Sequence, residues 1–143
     1  KVEGTPMDFS TPTEIGKKVD YNFDQIKNAT GYDHNWCLNT YKDGNGDDKT
    51  VCASLYSPKT GILLEVFTNE PGIQVYTGNF QGTGIACKHG IKYPKHVSVC
   101  FESQKYPDSP TKITEGVKDW TDATLKPGQK YYSHLVYKFS VKK

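Results

Sequence analysis

Ile62-Leu63-Leu64-Glu65-Val66-Phe67-Thr68-Asn69-Glu70-Pro71-Gly72-Ile73-Gln74-Val75-Tyr76-Thr77 is two runs of β-branched, aromatic and apolar residues split by Asn-Glu-Pro-Gly. Strand formers on both sides of a Pro-Gly turn signal predict two strands, Ile62–Thr68 and Ile73–Thr77. The pattern repeats outward. Turn signals stand at Asp43-Gly44-Asn45-Gly46, Ser57-Pro58-Lys59-Thr60-Gly61, Pro107-Asp108-Ser109-Pro110 and Lys126-Pro127-Gly128. Further strand-like runs are Thr50–Ser57, His96–Glu102 and Tyr131–Val141, in the last of which Leu135, Tyr137, Phe139 and Val141 can face one way. Many short strands with Gly/Pro punctuation predict an all-β sandwich or barrel. Glu14–Ile26 is the weakest helix candidate, with room for a single turn. Residues 34–41 and 50–57 flank an Asp/Gly-rich stretch and predict a hairpin that sets Cys37 near Cys52. There is no internal repeat or linker, so residues 1–143 read as one domain's worth of chain, enough to bury a core.

Composition narrows the function classes. Charged residues make up 24% and the net charge is +2, but the basic residues are all Lys and are scattered. Phosphate recognition favours concentrated charge and Arg forks, which argues against nucleic acid. No apolar stretch approaches the ~18 residues of a membrane span. The first residues, Lys1-Val2-Glu3-Gly4-Thr5-Pro6, show neither an initiator Met nor a secretory apolar segment, and read as a chain entered in its middle. Localisation, cytoplasmic or secreted, is therefore left unassigned. Cys37, Cys52, Cys87 and Cys100 allow two bridges in three connectivities. They lack the paired short spacing of a zinc site, and buried free thiols are the reading carried forward. No pair among His34, His89, His96 and His134 has metal-ligand spacing, so no metal is expected.

Strand parity locates the polar chemistry. Along His96–Glu102, Val97, Val99 and Phe101 share one face, and His96, Ser98, Cys100 and Glu102 the other. Glu102 then ends a strand on its more polar side. It is a solvated end residue or a general base, and the second role needs partial burial to raise its pKa toward neutrality. Asp33 heads Asp33-His34-Asn35, which serves equally as a strand-entry motif or as a ligand contact. Gln74, an amide in an apolar run, must find partners if buried. It is structural or ligand-binding. Nothing around Cys100 supports a nucleophile.

Three stretches stand in order: Gly31-Tyr32-Asp33-His34-Asn35, Glu70-Pro71-Gly72-Ile73-Gln74-Val75-Tyr76-Thr77-Gly78-Asn79, and Cys100-Phe101-Glu102-Ser103-Gln104 followed by Lys105-Tyr106-Pro107-Asp108. Together they resemble the C-terminal portion of the aldose 1-epimerase (galactose mutarotase) family, over nearly all of this chain. The resemblance implies an antiparallel β-sandwich of the supersandwich type, here incomplete, and interconversion of the α and β anomers of free aldoses such as galactose and glucose. It implies Glu102 as catalytic base, Asp33 and Gln74 as sugar-binding residues, and no metal or organic cofactor. Phe101 and Ser103 stand where the family usually has Leu and Thr, and Thr111 where Asn is common. The family's Asn-Arg sugar contacts and its two active-site histidines, one of them the proposed acid, match nothing here. The expectation is half an active site, inactive or weakly active alone, completed by the N-terminal segment of the same protein or by a self-associated dimer. A non-catalytic carbohydrate-binding relative is the alternative.

Overall fold

The computed structural model describes residues 1–82 and 84–142. Its strands are β1 (Asp33–Cys37), β2 (Tyr41–Lys42), β3 (Asn45–Gly46), β4 (Ala53–Tyr56), β5 (Ile62–Thr68), β6 (Gly72–Tyr76), β7 (Cys100–Gln104) and β8 (Leu135–Val141). The helices are short: α1 (Ile15–Lys18), α2 (Asp24–Ala29) and α3 (Ser109–Thr114). The all-β expectation holds. The strand order is β1-β6-β7 in one sheet and β4-β5-β8 in another, with β2 and β3 paired separately.

Local chemistry explains where the expected elements shift. β5 takes the expected bounds. β7 begins at Cys100 rather than His96, because His96 takes a left-handed φ of 59° that no extended strand accommodates. Glu102 is consequently the middle residue of a five-residue strand that continues to Gln104, not its end. The hairpin between residues 34–41 and 50–57 does not form: β1 and β4 lie in different sheets. The stretch between them turns on itself instead, pairing Tyr41 with Gly46 and Lys42 with Asn45 antiparallel. Asp43 and Gly44 both take positive φ, 51° and 80°, as a two-residue hairpin turn of the primed type requires. Pro107-Asp108-Ser109-Pro110, read as a turn, opens α3, since Pro is tolerated in a helix's first turn where no amide partner is needed.

The chain divides into two compact units. The first comprises Lys1–His34 and Val75–Phe101. Its buried apolar residues include Met7, Ile26 and Tyr32. Tyr32 is packed edge-on by the Phe9 ring at 5.3 Å, and its hydroxyl donates to the Pro6 carbonyl at 2.9 Å. Burial pushes that phenol up to about 12. α2 stops at Thr30, which is left-handed, and the Gly31 amide donates back to the Ile26 carbonyl at 3.0 Å. Only glycine suits position 31, where φ is 144° and a Cβ would overlap the Asn79 side-chain oxygen.

The second unit comprises Asn35–Gln74 and Glu102–Lys143. Leu38, Val66 and Ile73 are buried in it. In its antiparallel sheet Val66 faces Ala53 on one side and Tyr137 on the other. Directly opposed residues share a face. Leu135, Tyr137, Phe139 and Val141 therefore lie on the face of Val66, as expected, yet all of β8 is exposed, Phe139 at 67% and Val141 at 68%. All four cysteines are free, but they are not the buried thiols expected. Their burial differs: Cys37 and Cys87 are exposed, and Cys52 is half-buried with its thiol donating to the Val66 carbonyl at 3.2 Å.

Candidate functional site

Asp33 is the first residue of β1 and belongs to the first unit. The stop of α2 fixes where it enters. Asn79, fully buried, donates from its Nδ2 to the carbonyls of Ala29 and Tyr32, each at 2.9 Å, and its Oδ1 accepts from the Thr77 hydroxyl at 2.7 Å. The Thr77 amide donates to the Tyr32 carbonyl at 3.0 Å. This network holds the residue before Asp33 on both sides. Asp33 is half-buried, and its backbone N–H donates to Nδ1 of His34 at 3.0 Å. Accepting there, His34 is neutral, and burial, partly opposed by a backbone hydrogen bond and the Asp33 charge, keeps its pKa below the usual imidazole value.

Gln74 and Glu102 belong to the second unit, on β6 and β7. Glu102 is exposed, so the partial burial expected of a base is not supplied by this chain. Gln104, two residues on and of the same strand parity, makes the polar contacts. Its Nε2 donates to Asn35 Oδ1 at 3.1 Å and to Gln74 Oε1 at 3.3 Å. Three side-chain amides from β1, β6 and β7 thus meet within one unit, and Gln74 is both half-buried and hydrogen-bonded.

Two further features hold this cluster. Gly72 is buried, and a Cβ there would overlap the Asn35 side-chain oxygen, so its missing side chain is the space Asn35 occupies. Beside Gln104, the Lys105 ammonium meets the Glu70 carboxylate at 2.7 Å. Glu70 is 2% exposed, and its backbone N–H donates to the Thr68 hydroxyl. A buried carboxylate requires such a partner. The pair ties the turn before β6 to the residue after β7. Glu70, Asn35 and Gln104 all stood in the quoted motifs without an assigned role. Parity with Glu102 was the one available signal for Gln104.

The histidine of this unit, His134, is engaged elsewhere. Its Nδ1 lies 2.7 Å from Asp48, whose pKa is lowered chiefly by that hydrogen bond. Among the described residues no three of His, Cys, Asp and Glu are grouped as a metal ion would need, and no helix is long and apolar enough to cross a membrane.

Comparison with known proteins places this arrangement. The family model for aldose 1-epimerase matches residues 1–138. Galactose mutarotase of Mus musculus is 38% identical over 140 residues, covering 98% of this chain and 36% of that protein. The aldose 1-epimerase of Escherichia coli (strain K12) is 34% identical over 140 residues, covering 96% and 37%. Among solved structures, a GalM/aldose epimerase homologue from C. elegans superposes with a TM-score of 0.74 at 23% identity, over 99% of this chain and 38% of that one, which is a likeness of fold. The chain spans a little over a third of the length of the curated relatives it matches. With the family match running through all three motif stretches and the antiparallel strands beneath them, this chain belongs to the aldose 1-epimerase family.

Proposed function

We propose that this chain carries the base-bearing part of an aldose 1-epimerase site, acting on free hexoses such as galactose and glucose. The observation that carries the reading is the amide cluster on the strands of the family motifs, with Gln74 bonded to Gln104 two residues beyond Glu102. Asp33 and Gln74 hold sugar hydroxyls. The Glu102 carboxylate takes the proton of the C1 hydroxyl, and the C1–O5 bond breaks with its electron pair going to O5. An acid protonates O5, giving the open aldehyde. Rotation about C1–C2 and reclosure by the reverse steps yields the other anomer. No cofactor enters this scheme.

The acid is assigned to a histidine outside these 143 residues, on another segment of the same protein or, failing that, a second copy of the chain. Two observations support this. His134 is bound to Asp48, and the exposed apolar row Leu135, Tyr137 and Phe139 suits a covering partner. A missing acid forfeits about 10²–10⁴ in rate. The exposure of Glu102 favours a second reading, a carbohydrate-binding relative without turnover.

Polarimetry separates the two. Fresh α-D-galactose and α-D-glucose are followed with the whole protein that carries this chain and with its Glu102→Gln form. Accelerated change that the variant lacks supports the enzyme. Saturable sugar binding at the spontaneous rate of mutarotation supports the binder.

A further inference from the structure

We propose that the second unit binds a small organic ammonium cation, a quaternary or methylated amine, in a cavity beside the β2–β3 hairpin. The cavity measures about 300 Å³. Three aromatic residues, Tyr41, Tyr106 and Trp120, and two carboxylates, Asp43 and Asp119, line it together with Gly44 and Thr121. All of them belong to the second unit. No Lys, Arg or His stands among them, although the chain as a whole has a net charge of +2. Neither Asp43 nor Asp119 forms an ion pair among the described residues. The face of an aromatic ring and a carboxylate both attract positive charge, so rings and acids without a basic partner select a cation. A neutral sugar would use the rings and leave both charges uncompensated.

The aromatic wall is held without a ligand. The Tyr106 and Trp120 rings meet edge-on, 5.5 Å between centroids with planes 66° apart. An edge-on contact leaves the faces of one ring uncovered. The Trp120 indole N–H donates to the Pro107 carbonyl at 3.0 Å, which tethers the ring and spends its one donor. Burial, aided by a hydrogen bond with Cys37, pushes the Tyr106 phenol up to about 12, so this residue stays neutral. Asp43 is carried by the tight turn of the hairpin, whose strands pair Tyr41 with Gly46. Both carboxylates are exposed, so the attraction is modest and open to screening by salt.

Titration calorimetry of the whole protein that carries this chain tests the site. The ligands are choline, its uncharged isostere in which carbon replaces nitrogen, and D-galactose. The proposal expects saturable choline binding in the millimolar range, and binding of the isostere at least about tenfold weaker. Combining Asp43→Asn with Asp119→Asn should weaken choline about tenfold, and raised salt should act in the same direction. Trp120→Leu should weaken it at least as far. The paired Asp variant leaves every ring in place, and it carries the test if Trp120→Leu fails to fold. Glu102→Gln should bind choline as the native protein does, because Glu102 does not line the cavity. That result separates this site from the proposed epimerase chemistry. The proposal is overturned if choline does not bind saturably, binds no more tightly than its isostere, or keeps its affinity in the paired Asp variant. Galactose binding that Trp120→Leu removes, in a protein that ignores choline, would overturn it in favour of a second sugar site.

Discussion

At the scale of single residues, the most consequential side chains touch backbone or one another. Asn79 is fully buried and spends both amide protons on the carbonyls of Ala29 and Tyr32. Asn79→Ala removes the donor to the Ala29 carbonyl, while the Tyr32 carbonyl keeps the Thr77 amide and the Thr77 hydroxyl keeps the Tyr32 backbone, and should lower stability by about 2 kcal/mol in urea unfolding. Unchanged unfolding would mean the network is incidental. His34 makes a pH prediction. Its folded pKa lies below the unfolded value of about 6.5, so the unfolded chain takes up the proton first as pH falls. His34 thus contributes stability that is complete above about pH 6.5 and is lost as pH falls toward its folded pKa. Unfolding curves from pH 8 to 5 should show that decline, and His34→Asn should flatten it. Asp33, Gln74 and Glu102 were legible as polar residues at strand positions. Gln104 was not, because its role depends on which strands lie beside β7, and parity within one strand says nothing of its neighbours.

Between elements, the turn that opens β6 is fastened by charge. Lys105→Met strands the buried Glu70 carboxylate and should cost about 3 kcal/mol, much of it recovered when Glu70→Gln is added. Calorimetry of the two single variants and the double variant reads this directly; equal losses in the double and in Lys105→Met would contradict it. Runs of β-branched and aromatic residues located β5 and most of β6, since both lie between strong turn signals. The hairpin around residues 42–49 was misread because Asp43-Gly44 closes a two-residue loop of its own, leaving β1 and β4 to separate sheets. α3 was missed for a related reason: a Ser-Pro pair after an Asp serves a helix start as well as a turn. β8 was recognised by its alternation, but alternation cannot show whether a face is covered.

For the molecule as a whole, the exposure of β8 matters most. A row of exposed apolar side chains on an edge strand invites another chain. Phe139→Lys should therefore reduce concentration-dependent association of the isolated chain in sedimentation velocity. A monomer at every concentration, with or without the change, would remove the need for a covering partner. The family, the strand-rich fold and the order of the three motifs were all readable in the sequence. The exposure of Glu102 was not, since it depends on what surrounds the strand rather than on the strand itself. The central claim is that Glu102 moves the anomeric proton. Two-dimensional exchange NMR on equilibrated galactose, with the whole protein and its Glu102→Gln form at equal concentration, measures interconversion of the two anomers without reporter chemistry. The account predicts α/β cross-peaks that build up in seconds with the native protein and fall at least about 10²-fold, toward the spontaneous rate, with Glu102→Gln. Equal exchange in both samples would contradict it.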